Sequence, residues 1–177
     1  MNILVTLDRN YLPPLRVMLG SLLRNDPAET FDIYTIGDGL TAEDWAGLEE
    51  LCAGRGRIHP VEVPADLFAD APVARYWTRA MYYRLLAAEL LPQSLDRVLY
   101  LDPDILVINS VQPLYEMDLE GNLMAAATHT GLLAGITDPV NRLRLENYEA
   151  EAYYNSGVLL MDLTAMRREV RPADIFD

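Results

Sequence analysis

Asn2-Ile3-Leu4-Val5-Thr6-Leu7 opens the chain as a short apolar run, and Phe31-Asp32-Ile33-Tyr34-Thr35-Ile36 follows one helical pattern later. These two runs and the segment between them decide the fold. The first is rich in β-formers and has no strict alternation, which predicts a buried strand. Between the runs, Leu15, Met18, Leu19, Leu22 and Leu23 recur at the spacing of an amphipathic helix, with Pro13 and Pro14 near its first turn. Asn25-Asp26-Pro27 ends that helix, and the second run alternates apolar and polar before closing at Gly37-Asp38-Gly39.

The same rhythm continues outward. Thr41-Ala42-Glu43-Asp44 reads as a helix start with an acid three places on, Trp45, Leu48, Leu51 and Cys52 give its apolar face, and Gly54 and Gly56 end it. Residues 58–63 predict a third strand, weakened by Pro60. Residues 64–77 look irregular, and 78–91 predict a mostly apolar helix stopped by Pro92. Residues 97–101 and 105–108 are two apolar runs separated by Asp102-Pro103-Asp104, so the acids interrupt what reads as a buried element. Residues 123–128 predict another strand, 138–152 a polar helix, 158–161 a further apolar run, and a short helix is expected from Asp162. No repeat, linker or low-complexity stretch breaks the chain. Strands alternating with helices predict one α/β domain over residues 1–177 with a mainly parallel, Rossmann-like sheet. Ligands are then expected at the C-terminal ends of the strands.

Composition removes several classes. All 14 basic residues are Arg against 27 acids, a net charge of −13, so a duplex-binding or anionic-membrane surface is not expected. The complete lack of Lys excludes a Walker A lysine, a Schiff-base lysine and a lysine-assisted phosphatase site. The single Cys52 excludes an internal disulfide and a multi-cysteine zinc site. Apolar stretches are too short to span a bilayer and the start lacks the basic residues of a signal peptide. The expectation is a cytoplasmic protein, at most peripheral at the inner face of a membrane through residues outside this stretch.

Asp102 and Asp104 are the first candidates for chemistry. In an extended segment, side chains two apart share a side, so both carboxylates could face one hard cation such as Mn²⁺ or Mg²⁺. A solvated acidic turn is the other reading, and the apolar flanks favour the metal because two buried unpaired carboxylates are costly. Asp8, Asn10 and Tyr11, just past the first strand, read either as an Asx-type helix entry or as a base- or ribose-binding edge with Tyr11 as stacking face. Arg84, in an apolar helix, reads as a structural ion pair or as a donor to sugar hydroxyls or phosphate. Asn155-Ser156-Gly157 alone reads as a turn before a strand. His59 and His129 are expected to be structural.

The blocks Ile3-Leu4-Val5-Thr6-Leu7-Asp8-Arg9-Asn10-Tyr11, Tyr83-Arg84-Leu85, Val98-Leu99-Tyr100-Leu101-Asp102-Pro103-Asp104-Ile105-Leu106-Val107 and Tyr154-Asn155-Ser156-Gly157-Val158-Leu159-Leu160-Met161-Asp162-Leu163 occur in that order. Together they resemble glycosyltransferase family 8 over essentially the whole chain. The resemblance implies a GT-A type fold and Mn²⁺-dependent transfer of a glucose or galactose from a UDP-sugar to a saccharide or glycolipid acceptor, with retention of configuration. It implies metal-binding and catalytic roles for Asp102 and Asp104. It further implies nucleotide-sugar contacts from Thr6, Leu7, Asp8, Asn10, Tyr11, Arg84, Leu101, Pro103, Asn155, Ser156 and Gly157. Family members continue to a Gln-Asp motif and a His-x-x-Gly-x-x-Lys-Pro-Trp segment, whose His completes the metal site. Neither occurs before Asp177, so a C-terminally shortened, donor-binding portion with little transfer of its own is expected. Two other readings stay open: an aspartyl phosphatase, which a strand-end Asp-x-Asp partly fits but the lack of Lys opposes, and a non-catalytic nucleotide-binding module.

Overall fold

The computed structural model describes residues 1–64, 83–128, 154–171 and 175. Its centre is a six-stranded sheet in the order β3-β2-β1-β4-β6-β5. The strands are β1 (Asn2–Asp8), β2 (Phe31–Asp38), β3 (Gly56–Pro60), β4 (Arg97–Leu101), β5 (Met124–Thr128) and β6 (Tyr154–Asp162). β3, β2, β1 and β4 pair in parallel, and β6 pairs antiparallel with both β4 and β5. The mainly parallel α/β architecture read from the sequence is the observed one.

Because β1 and β4 are covered on both faces, their successive residues enter two different cores. Ile3, Val5, Leu7, Leu99 and Leu101 join Leu15, Met18, Leu19 and Leu22 of α1 (Leu12–Asn25) and Leu48 of α2 (Ala42–Cys52). Leu4, Val98 and Tyr100 join Tyr83, Leu86, Ala87 and Leu91, together with Leu163 and Met166 of a short helix. This two-sided burial is why β1 and β4 read as unbroken apolar runs. Helical residues 83–85 and α3 (Ala87–Leu90), with a turn at Leu86, form the described part of the helix expected over 78–91. Residues 65–82 and 129–153, which include His129 and the helix expected over 138–152, lie outside the described residues.

Local chemistry sets the boundaries. Thr41 caps α2 as expected: its hydroxyl accepts from the Asp44 N–H at 3.3 Å while the Asp44 carboxylate accepts from the Thr41 N–H at 2.9 Å, a complete capping box. After the short α4 (Gln112–Tyr115), Asp162 caps α5 (Leu163–Glu169) by accepting from Ala165 N–H at 2.8 Å. β3 covers Gly56–Pro60 rather than 58–63. It begins at Gly56 because a Cβ there would lie 2.9 Å from the Cβ of Cys52, so only glycine lets the strand enter this close to α2.

Two sequence expectations are corrected. Residues 105–108 form no strand, and Leu106 and Ile108 are 61% and 71% exposed, so the acids do not interrupt a continuous buried element. The Val107 backbone is satisfied instead by side chains of α1, and the chain beyond is held by Asp26, the residue that caps α1. Ser21 Oγ accepts from Val107 N–H at 3.0 Å, Asn25 Nδ2 donates to Val107 O at 2.9 Å, and buried Asp26 accepts from Val111 N–H at 3.0 Å and from the Ser110 hydroxyl. A backbone whose polar groups are met this way has no need of a sheet partner. Secondly, Asn155-Ser156-Gly157 lies inside β6 rather than in a turn before it, opposite a register irregularity between Ala126 and Ala127.

Arg167 of α5 closes the C-terminal end of α3. Its guanidinium donates to the carbonyls of Ala88 at 3.0 Å, Pro92 at 3.0 Å and Leu95 at 2.8 Å, with longer bonds to Leu91 and Gln93. Ala88 and Leu91 belong to the helix end, whose last carbonyls lack intrahelical partners, and Pro92, Gln93 and Leu95 lie in the segment that follows it. Arg167→Met keeps the aliphatic stem and removes the donors, and is expected to lower unfolding free energy by about 2–3 kcal/mol in urea denaturation.

The cap carries a pH signature. Hydrogen bonds from Thr41, first its backbone N–H and then its hydroxyl, hold the Asp44 carboxyl below its ordinary 3.8, and Arg9 adds to this. A lowered folded value means the stabilisation is present above pH 3.8 and is lost as pH falls through the lower folded value. Asp44→Asn, which keeps shape and removes charge, is expected to melt below wild type at pH 7, and thermal melts should show that gap closing in acid below pH 3.8.

Candidate active site

The strand register assembles the site. β1 and β4 are parallel with Leu4 opposite Tyr100, so both deliver their C-terminal ends to one edge of the sheet. β6 runs the other way with Val158 opposite Leu101, so its beginning reaches the same edge. The Asp102 N–H donates to the Gly157 carbonyl at 2.8 Å and extends that pairing by one residue. Thr6, Asp8, Asp102, Asn155, Ser156 and Gly157 therefore meet where a parallel sheet places its ligands.

Asp102 is the best-held side chain of the group. Its Oδ1 accepts from the Tyr100 hydroxyl at 2.5 Å and from Arg84 Nη1 at 3.2 Å. The same Arg84 nitrogen donates to the Ser156 carbonyl at 3.0 Å, and its guanidinium lies 5.3 Å from the Tyr100 ring centroid. Burial pushes the Tyr100 phenol well above its ordinary range, against the opposing pull of Arg84, so it stays a neutral donor. Of the two readings of Arg84, the ion pair is formed: its side chain is 10% exposed and its partner's 30%.

Oδ2 of Asp102 has no donor among the described residues. It lies against Gly157, where a Cβ would stand 2.6 Å from it, so the carboxylate occupies space that any other residue would fill. The Gly157 N–H is turned away, donating to Asn155 Oδ1 at 2.7 Å. Asp104 is exposed. The acid pair sits in a turn just after β4 rather than in extended backbone, with Ile105 N–H reaching back to Asp102 O at 3.4 Å. The two-apart, same-side rule used on the sequence therefore does not apply here. What fits a hard divalent cation is the donor set itself: one oriented carboxylate with an oxygen to spare and a second, exposed carboxylate. Among the described residues no group of three or more His, Cys, Asp or Glu converges.

One strand over, Asp8 Oδ1 accepts from Asn10 N–H at 2.8 Å and caps a short 3-10 turn, Arg9–Tyr11. The Asx-type entry is thus real, and it leaves Asn10 and the ring of Tyr11, 43% exposed, facing outward at the same edge. Leu7, Leu101 and Pro103 are buried, so their side chains are packing and only their backbone is available to a ligand. Thr6 is 5% exposed and its hydroxyl lies 3.1 Å from that of Tyr100. His59 is structural as expected, stacked on Tyr34 and bonded to Asp32 Oδ1 at 2.7 Å. Tyr100 is the functional residue not evident from the sequence, where it looks like one more apolar strand residue. Its signal was present: in a strand, the residue two before Asp102 points to the same face.

Residues 2–171 match the family described as Glycosyl transferase family 8. The chain is 30% identical over 164 residues to lipopolysaccharide 1,2-glucosyltransferase of Escherichia coli K12, covering 92% of this chain and 48% of that protein. It is 28% identical to lipopolysaccharide 1,3-galactosyltransferase of Salmonella typhimurium LT2, again covering 92% of this chain and 48% of the relative. Its fold superposes on the galactosyltransferase LgtC, solved with donor and acceptor sugar analogues, with a TM-score of 0.81 at 29% identity, over 98% of this chain and 62% of that one. The expected GT-A type fold is the one found. The chain spans about half the length of the curated relatives it matches. On the family match and the shared fold, the chain belongs to glycosyltransferase family 8.

Proposed function

We propose that this chain forms the donor-binding part of a retaining hexosyltransferase that takes glucose or galactose from a UDP-sugar, with Mn²⁺ or Mg²⁺, and passes it to a saccharide or glycolipid acceptor. The observation that carries the reading is the Asp102 carboxylate, fixed through Oδ1 by Tyr100 and Arg84, with no donor to Oδ2 among the described residues, at the C-terminal edge of the parallel strands. The names of the relatives, both lipopolysaccharide hexosyltransferases, suggest an acceptor of that kind.

Each residue then has a job its environment suits. Asp102 and Asp104 would hold the cation. When bound, it would supply neutralising positive charge at the diphosphate as that group leaves the anomeric carbon. Asn10 and the exposed face of Tyr11 would take the nucleoside by hydrogen bonding and stacking, with Asp8 holding their backbone in place. Arg84 would balance part of the Asp102 charge. Asn155, Ser156 and Gly157 would line the sugar side, where the small Gly157 keeps space beside Asp102. No helix among the described residues is long and apolar enough to cross a membrane, and peripheral contact with the inner face of a membrane is part of the proposal for a glycolipid acceptor.

UDP is expected to raise the melting temperature by about 5–10 °C in Mn²⁺ at a hundredfold excess over Kd and hardly at all in EDTA. Asp102→Ala and Asp104→Ala should each abolish that Mn²⁺-dependent rise in differential scanning fluorimetry. An equal rise in EDTA, or an unchanged rise in both variants, would contradict the assignment. No response to UDP under either condition would leave an interaction module rather than a donor site.

A further inference from the structure

Tyr100 and Thr6 place two buried hydroxyls behind the carboxylate assigned to the cation, and neither side chain is exposed enough to serve a ligand: they are 1% and 5% exposed. The neighbours of Tyr100 in β4 are Val98, Leu99 and Leu101, all buried and apolar. A phenylalanine would fill such a position without the cost of burying a hydroxyl. The hydroxyl is nevertheless present and has two partners, Asp102 Oδ1 at 2.5 Å and Thr6 Oγ1 at 3.1 Å. A carboxylate only accepts, so the phenol donates to Asp102 and accepts from Thr6. The proton donors then run in one direction, from Thr6 to Tyr100 to Asp102, and each bond polarises the next.

We propose that the Thr6–Tyr100 hydroxyl pair is a positioning device that fixes the Asp102 rotamer and so sets the affinity of the site for its cation. This rests on the metal- and nucleotide-binding reading above. The role differs from that of Arg84. The guanidinium answers the charge of Asp102, whereas the phenol, rooted in the sheet two residues earlier, dictates where Oδ1 sits and thereby where Oδ2 points. Asp102 stands at a strand end with a side chain 30% exposed, where rotamer freedom would otherwise be lost only on binding. Thr6, on the neighbouring strand, keeps the phenol from turning away. Its side chain therefore serves the metal ligand from within the sheet, rather than the nucleoside.

The test uses the whole chain and three variants: Tyr100→Phe, Thr6→Val and Thr6→Ser. Melting temperature in EDTA reports folding. The Mn²⁺ concentration that gives half of the UDP-induced stabilisation, at fixed UDP, reports the site. Tyr100→Phe is expected to raise that concentration about tenfold or more, the usual effect of losing a partner behind a metal ligand. Thr6→Val should raise it less, and Thr6→Ser, which restores the hydroxyl, should return it to the wild-type value. A purely structural role would lower the EDTA melting temperature without moving the Mn²⁺ midpoint. An unchanged midpoint in Tyr100→Phe, or equal impairment in Thr6→Ser and Thr6→Val, overturns the proposal. Should Tyr100→Phe fail to fold, the Thr6 pair decides. A wild-type chain whose UDP response ignores Mn²⁺ overturns the functional reading itself, and the positioning role falls with it.

Discussion

β4 is hydrogen-bonded on both sides, in parallel to β1 and antiparallel to β6, and it ends at Leu101 with the next residue still tied to Gly157. This double pairing dictates where the Asp102 carboxylate can go. The parallel partner supplies Thr6 and Asp8 from the strand end alongside, and the antiparallel partner supplies Ser156 and Gly157 from its own beginning. Pro103, buried and without an N–H, stops the ladder where the carboxylates are needed. The segment beyond is then carried off the sheet by Ser21 and Asn25 of α1 and by Asp26 at its C-terminal cap.

Charge gives the site its character. A chain of net −13 repels a nucleoside diphosphate at long range, and the described residues at the site add carboxylates rather than relieving that repulsion. Among the described residues, Arg84 is the basic side chain that contacts the acid pair, where it is paired with Asp102 and hydrogen-bonded to Ser156. For a diphosphate to approach, a divalent cation between the carboxylates and the phosphates is the economical physical solution, and the proposed function adopts it. The Tyr100 and Arg84 bonds to one oxygen of Asp102 would limit the rearrangement such a cation has to cause.

Much of this was legible because the decisive segments carry local signals. β1, α1 and β2 follow from apolar spacing alone, the α2 start from Thr41 and Asp44, and the position of Asp102 from the run that ends at Leu101. What escaped depends on groups distant in sequence. Residues 105–108 are apolar yet form no strand, since the partners of Val107 are side chains on α1 more than eighty positions earlier. Asn155-Ser156-Gly157 has turn-like composition but continues β6, with Asn155 opposite Ala127 of β5 and the Gly157 carbonyl accepting from Asp102 N–H just past β4. Asp102 and Asp104 would share a side only in extended backbone, and Pro103 makes a turn there instead. Conversely, the two-residue periodicity that failed for the acids holds one step earlier, where Tyr100 and Asp102 do share a face and bond.

Anomalous diffraction from crystals grown with Mn²⁺ and UDP tests the central claim most directly. The account predicts one manganese peak in bonding contact with Asp102 Oδ2 and with Asp104, bridging to the diphosphate, with Tyr100 still donating to Oδ1. A peak elsewhere on the chain, or UDP bound at this edge with no metal between it and Asp102, would contradict it.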